Sequence, residues 1–174
     1  MEFNDLNNIT SLYNEYKHYI TVHKDIQKLK QKVMEIIVAK QFIPMMNDLK
    51  WIKLQHAVSS LTFEPPYVLR CITDKDKTCH ACLNEVPYWL GDWSNYYYEG
   101  MPPLFMIEWL KVRPQLSQHR GRLIADAIID ETTAFRAILE RLRIPYDEED
   151  NIFTLYGYKQ AKHTTLENTC HPAC

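Results

Sequence analysis

Residues 3–43 contain neither glycine nor proline, in a chain of 174 residues that holds 4 glycines and 9 prolines. A stretch that long without a breaker is expected to be helical. Apolar side chains recur at Leu6, Ile9, Tyr13, Tyr16 and Ile20, then at Tyr19, Val22, Ile26, Leu29, Val33 and Ile36. Each series steps by three and four residues, which lays one apolar stripe along one helix face. The second series starts one residue out of phase, so the run is expected to kink, or to divide into two helices, near Thr21. Spacing of this kind also serves a coiled coil, which makes the stripe a candidate seam for a homodimer. Ile43-Pro44 ends the element, because proline disfavours helix in the residue before it.

Beyond Pro44 the chain is punctuated more often. Residues 47–61 read as a helix with Asn47 as N-cap and Trp51, Leu54, Val58 and Leu61 on one face. Pro65-Pro66 stops it. Residues 67–72 (Y-V-L-R-C-I), 88–93 and 104–112 read as strands, and residues 115–123 as a polar linker. Asp130 is expected to cap a helix running to about Arg143, with Phe135, Ile138, Leu139 and Leu142 inward and Pro145 beyond. An acidic turn at 147–151 then precedes a last strand at 152–158. Strands in runs, without regular βαβ alternation, point to an α+β fold with a small, mainly antiparallel sheet packed by helices. The expected division is an N-terminal helical extension (1–44), an α+β core domain (45–158) and a C-terminal tail (159–174).

The net charge of −2, with no basic block, gives no footprint for nucleic acid. No run reaches the roughly 18 apolar residues of a membrane span. The start, M-E-F-N-D-L-N-N-I-T, lacks the basic and apolar regions of a signal peptide, so a cytoplasmic location is expected. Five cysteines, an odd number, fit a reducing compartment better than a disulfide framework.

Several short motifs recur in a recognisable order. They are K-W-I-K-L (50–54), G-D-W (91–93), I-E-W-L (107–110), H-R-G (119–121), I-D (129–130), I-P-Y (144–146) and Y-G-Y (156–158). Through them, residues 47–158 resemble an uncharacterised bacterial domain-of-unknown-function family of small single-domain proteins. That resemblance implies a binder more than a catalyst, of the immunity or antitoxin kind. The N-terminal helical segment and the cysteine-bearing segments depart from the family pattern, so nothing is carried over to them.

Three groups of residues are candidates for chemistry. Cys79-x-x-Cys82 and Cys170-x₃-Cys174, with His80 and His171 inside them, have the short spacing that turns two thiolates toward one ion. Together they would make one structural zinc site, although compact zinc modules space their pairs about 12–20 residues apart, far less than here. No other cofactor is expected, and Cys71, in a strand, is expected to be buried as a small hydrophobe. Glu108, His119 and Arg120 form a conceivable hydrolytic group, with an acid-base pair and a cation for developing charge. Against it, Glu108 in a half-exposed strand simply alternates outward. No Gly-rich phosphate loop, nucleophile elbow or H-E-x-x-H helix is present.

The third group is aromatic and acidic. Trp89 and Trp109 are expected to point inward, whereas adjacent Tyr96, Tyr97 and Tyr98 cannot all do so. Exposed tyrosines supply contact area at low entropic cost, which suits a protein interface. With Asp92, Trp93, Glu99, Asp147 and Glu148 they are the expected binding residues, and such a surface complements a basic cleft. The expected function is therefore a non-enzymatic protein-binding module, an immunity or antitoxin-like inhibitor that occludes a cognate toxin. A metal- or redox-responsive regulator built on the cysteines is the alternative, and a small hydrolase is the third reading.

Overall fold

The computed structural model describes residues 3–75, 83–94, 100–122 and 124–160, with 3–7 as backbone alone. The breaker-free run is two helices, α1 (Phe3–Val22) and α2 (Lys24–Ala39), parted at His23. His23 lies at φ −83°, ψ 113°, extended backbone that no α-helix holds. Thr21 Oγ1 donates to the Lys17 carbonyl at 2.8 Å, and the Gln27 side chain donates to the Thr21 carbonyl. The Gln27 bond satisfies a carbonyl that the broken ladder would leave open, and the Thr21 hydroxyl bonds back onto the turn before it, a contact that bends helices. The corner is what the phase slip encodes, because it lets both stripes face one core. Tyr16 and Ile20 of α1 and Ile26 and Val33 of α2 are buried in a single cluster with Trp51, Leu110 and Phe135. Side chains of the expected 1–44 extension thus share a core with the residues that follow.

Helix α3 (Asp48–Val58) starts as its sequence requires: Asn47 Oδ1 accepts the Lys50 N–H at 2.9 Å. Trp51, Leu54 and Val58 are buried on the expected face. Helix α4 (Thr132–Arg141) buries Phe135, Ile138 and Leu139.

The strands are β1 (Phe42–Pro44), β2 (Tyr67–Cys71), β3 (Ile107–Val112), β4 (Gln115–Gln118), β5 (Ala127–Asp130), β6 (Tyr146–Glu149), β7 (Ile152–Tyr156) and β8 (Tyr158–Gln160). Among the described residues every pairing is antiparallel: a four-stranded sheet in the order β2-β3-β7-β6, and the two-stranded pairs β1-β8 and β4-β5. Leu110, which pairs with Leu69 and Leu155, faces the helices, and Phe153 packs edge-on against Phe135 of α4 with ring centroids 5.2 Å apart.

Four expectations are corrected here. Residues 88–93 are not a strand; they run irregularly, anchored where Gly91 N–H donates to the Glu64 carbonyl and Trp93 Nε1 to the Pro65 carbonyl. Residues 104–106 form a 3₁₀ turn, so β3 starts only at Ile107. The polar linker after Pro114 is β4, half of a hairpin whose inner residue Gln115 is buried. The acidic turn is mostly strand: β6 carries Asp147 and Glu148, and the turn shrinks to Asp150-Asn151, with φ of 51° and 61°. Two successive left-handed residues make the hairpin turn whose twist suits the strands, and Asp and Asn adopt it readily. The tail also contributes structure, since β8 reaches Gln160 and pairs with β1.

Asp130 does the capping work expected of it, from one residue further out. Its Oδ1 accepts the Thr132 N–H and its Oδ2 accepts from Gln115 Nε2, both at 2.8 Å. Hydrogen bonding from Thr132 first, then from Gln115, holds the carboxyl below its ordinary range. A depressed folded pKa adds stability above the unfolded value, near 3.9, and that stability is lost as pH falls through the folded value. Asp130→Ala is expected to cost about 1 kcal/mol at neutral pH and less in acid. Urea melts at about pH 7 and about pH 3 check it, and an equal loss at both would contradict the assignment.

Candidate functional site

The four described α-helices and the inner sheet residues feed one core, which leaves the other face of the four-stranded sheet without a helix among the described residues; Asn84 adjoins it beside Lys111 and Thr154. Register defines what that face presents. Trp109 pairs with Arg70 on β2 and Tyr156 on β7; Lys111 pairs with Val68 and Thr154, and Thr154 with Asp147 on β6. Each of Val68, Arg70, Trp109, Lys111, Thr154 and Tyr156 is half-buried.

Trp109 lies on this outer face, not in the core, and Trp89 is only half-buried, so the inward expectation for both is corrected. A β-bulge is the reason. Arg70 pairs with Trp109 and Cys71 with Ile107, so Glu108 has no partner of its own across the strand. One extra residue reverses the alternation, and Glu108 and Trp109 come to the same side.

The charges on the face are ordered by contact. Arg70 Nε lies 3.3 Å from Glu108 Oε2, with the two side chains 27% and 17% exposed. Lys159 Nζ sits 3.9 Å from the Tyr156 ring centroid and 3.6 Å from Asp147 Oδ2. Burial first, and then a hydrogen bond to Asp147, raises the Tyr156 phenol, so it stays a donor at neutral pH. Phe42, Tyr158 and Lys159 wall the groove between this face and β8, a shallow hollow of about 390 Å³.

The expected binding residues do not form one patch. Asp92 is exposed and adjoins the β2 edge, where its backbone carbonyl accepts from Tyr67 Oη at 2.6 Å. Its carboxyl, held low by hydrogen bonding from Ser94, accepts the Ser94 N–H at 3.0 Å. Asp147 and Glu148 lie on β6, the opposite edge, with β3 and β7 between. Glu148 turns toward α4, where Arg136 grips it with two hydrogen bonds and lowers its carboxyl. Trp93 is 4% exposed and belongs to the core. Tyr96, Tyr97, Tyr98 and Glu99 lie outside the described residues.

The other two groups fare differently. Cys79, Cys82, Cys170 and Cys174, with His80 and His171, also lie outside the described residues, and among those that are described no cluster of three or more metal-ligating side chains occurs. Cys71 is buried, and burial followed by Asp74 pushes its thiol up to about 12, which leaves it inert. Glu108 and His119 are not brought together: Glu108 is engaged by Arg70, and His119 Nδ1 by Asp126 Oδ1 at 2.9 Å in an exposed hairpin. Arg120 is exposed beside it.

Arg70, Lys111, Thr154, Tyr156 and Lys159 enter the site only through strand register. The period of two in I-F-T-L-Y puts Thr154 and Tyr156 on one face, which is the signal that finds them.

The chain is thus a small antiparallel α+β protein with one sheet face covered by helices and the other lined by aromatic and charged side chains. Residues 33–162 match a family of unknown function, DUF6678, and the chain belongs to that family. No curated protein and no solved structure matches it. No described helix is long and apolar enough to cross a membrane.

Proposed function

We propose that the protein is a non-enzymatic binding module that docks a partner protein on the helix-free face of its four-stranded sheet. The observation that carries this reading is the row Arg70, Trp109 and Tyr156 across three adjacent strands. Tryptophan, tyrosine and arginine dominate the energetics of protein interfaces, because each offers a large contact area and a polar tip. A small-molecule enzyme would want an enclosed cavity with convergent acids and bases. Here Arg70 is paired with Glu108 and Lys159 with Asp147 across a shallow face.

Size limits how such a face works. Four strands about 4.8 Å apart and some 17 Å long make roughly 300 Å². A specific interface buries about 800 Å² per partner. The contact must therefore run past an edge of the sheet, beyond β6 with its exposed Asp147 and Glu149 and the adjoining turn residue Asp150, or onto the Asp92 edge. Acidic flanks around an aromatic centre favour a basic partner surface. The finer reading is a bacterial immunity or antitoxin-like inhibitor that acts in the cytoplasm by covering a toxin's basic cleft.

The test uses Trp109→Thr with Tyr156→Thr, which removes the aromatic centre and keeps strand-forming residues. The double variant is expected to melt within about 1 kcal/mol of the parent and to lose its partner at least a hundredfold, as hot-spot deletions do. The partner is identified by mass spectrometry, and growth of cells expressing it reports whether the chain relieves its toxicity. Tyr97→Ala with Glu99→Lys is run beside it. Undiminished partner binding by the Trp109/Tyr156 variant would defeat the assignment of this face.

A further inference from the structure

A second hollow lies on the helical side of the molecule, far in character from the docking face. It is a pocket of about 270 Å³ where the ends of α3 and α4 meet α1. Lys53 and His56 of α3 and Arg141 of α4 line it, and no carboxylate is among its described lining residues. In a chain of net charge −2 that is a local reversal of sign.

Cations at helix C-termini ordinarily serve the terminal carbonyls and the dipole. Here three of the last four carbonyls of each helix already have partners. The Ser59 and Ser60 hydroxyls donate to the His56 and Ala57 carbonyls, both at 2.7 Å, and Leu61 N–H takes that of Val58. On α4, the N–H groups of Leu142, Arg143 and Ile144 take the carbonyls of Ile138, Glu140 and Leu139. The Arg143 carbonyl is taken by Lys50 Nζ, which is not in the pocket. Arg141 ends α4 and Lys53 sits mid-helix in α3, and neither has an ion-pair partner among the described residues.

We propose that this pocket binds a small phosphate monoester. Guanidinium and ammonium line it from two helices, which suits a doubly charged anion with three acceptor oxygens better than a planar carboxylate. Ile9, Ala57 and Leu142 supply an apolar wall for the ester's organic part. The inference is independent of the docking face and stands or falls separately from it.

Phenyl phosphate titrated into the ¹⁵N-labelled full chain tests it. The expected result is saturable movement of the Ala57, Arg141 and Leu142 amides, with a Kd of about 1 mM or tighter, weakening as salt is raised. Arg141→Gln and Lys53→Gln are each expected to weaken binding about tenfold, as loss of a charge-assisted hydrogen bond does. Lys32→Gln, on the exposed side of α2, is the control and should leave the affinity unchanged. Phenol, with the ring but no charge, should not bind. No saturable movement up to about 10 mM phenyl phosphate would overturn the proposal. So would unchanged affinity in Arg141→Gln, or phosphate-induced shifts spread evenly over surface lysines.

Discussion

Gly157→Ala is expected to cost the fold several kcal/mol. A Cβ at Gly157 would stand 1.9 Å from the Ile107 carbonyl oxygen and 3.1 Å from its carbon. The obstructing atoms are backbone, so no rotamer change relieves the overlap. Nor can the backbone at 157 withdraw easily. Its N–H donates to the Glu108 carbonyl at 2.9 Å, and its carbonyl accepts from Met45 N–H at 2.8 Å. Making room means parting β8 from β3 or losing those bonds. Overpacking costs about 1–3 kcal/mol and each lost hydrogen bond about 1, which puts the total near 3–5 kcal/mol. Against a typical stability of about 5–15 kcal/mol, that is a large fraction. With a urea m-value of about 2 kcal/mol/M, the far-UV circular dichroism midpoint should fall by roughly 2 M. Gly121→Ala is the instructive contrast. Its φ of 122° demands glycine, but nothing lies within 4 Å of the missing Cβ, so only strain of about 1–3 kcal/mol is expected. If Gly157→Ala proved the milder of the two, the close approach of β7–β8 to β3 would not be what fixes the sheet.

Local patterns carried the helices, and non-local ones hid the sheet. The 3-4 spacing and the Asn47 cap are written in neighbouring residues, so α1 to α4 could be read within a few positions. Even the corner at His23 left its mark as a phase slip. Strand β4, by contrast, has four residues with no strong β signal, and only pairing with β5 makes it a strand. Strands β1 and β8 are three residues each, and Gly157 lets the chain pass close to Ile107 while its carbonyl takes the Met45 N–H. The bulge at Glu108 belongs to a pair of strands, not to either sequence, and it inverted the reading of Trp109. The candidate face was invisible for the same reason: Arg70, Trp109 and Tyr156 are far apart in sequence and share a row only through register. The resemblance motifs had yet another origin. Gly91, Trp93, Gly121, Asp130 and Gly157 each hold a turn, a cap or a close approach. Trp109 and Tyr156 of the outer face sit in the same motifs, in I-E-W-L and Y-G-Y, so those motifs hold both architecture and the candidate face.

Trp93→Ala should separate that architecture from binding at the Asp92 edge. Sequence reasoning placed Trp93 with Asp92 in one interface, yet the two neighbours point opposite ways. The Trp93 indole donates to the Pro65 carbonyl at 2.8 Å and meets the Tyr67 ring edge-on, with centroids 5.2 Å apart. Gly91 must lack a side chain for this to work, since a Cβ there would lie 2.2 Å from the Pro65 carbonyl oxygen and 2.8 Å from the indole nitrogen. Deleting a buried tryptophan costs about 3–5 kcal/mol. In a chain of this size each kcal/mol moves Tm by about 2–4 °C, so a fall of roughly 6–20 °C is expected. Trp93→Phe keeps most of the volume and orphans the Pro65 carbonyl, for a loss of about 1–3 kcal/mol. The intermediate cost of that variant distinguishes a lost hydrogen bond from a collapsed core. Asp92→Ala removes an exposed carboxylate whose hydrogen bonds are local to Ser94, and should cost no more than about 1 kcal/mol. Any change it makes in partner affinity is therefore a reading of the surface itself. A Trp93→Ala protein that melts like the parent but loses its partner would return Trp93 to the interface. The packing at Pro65 and Tyr67 leads us to expect the opposite.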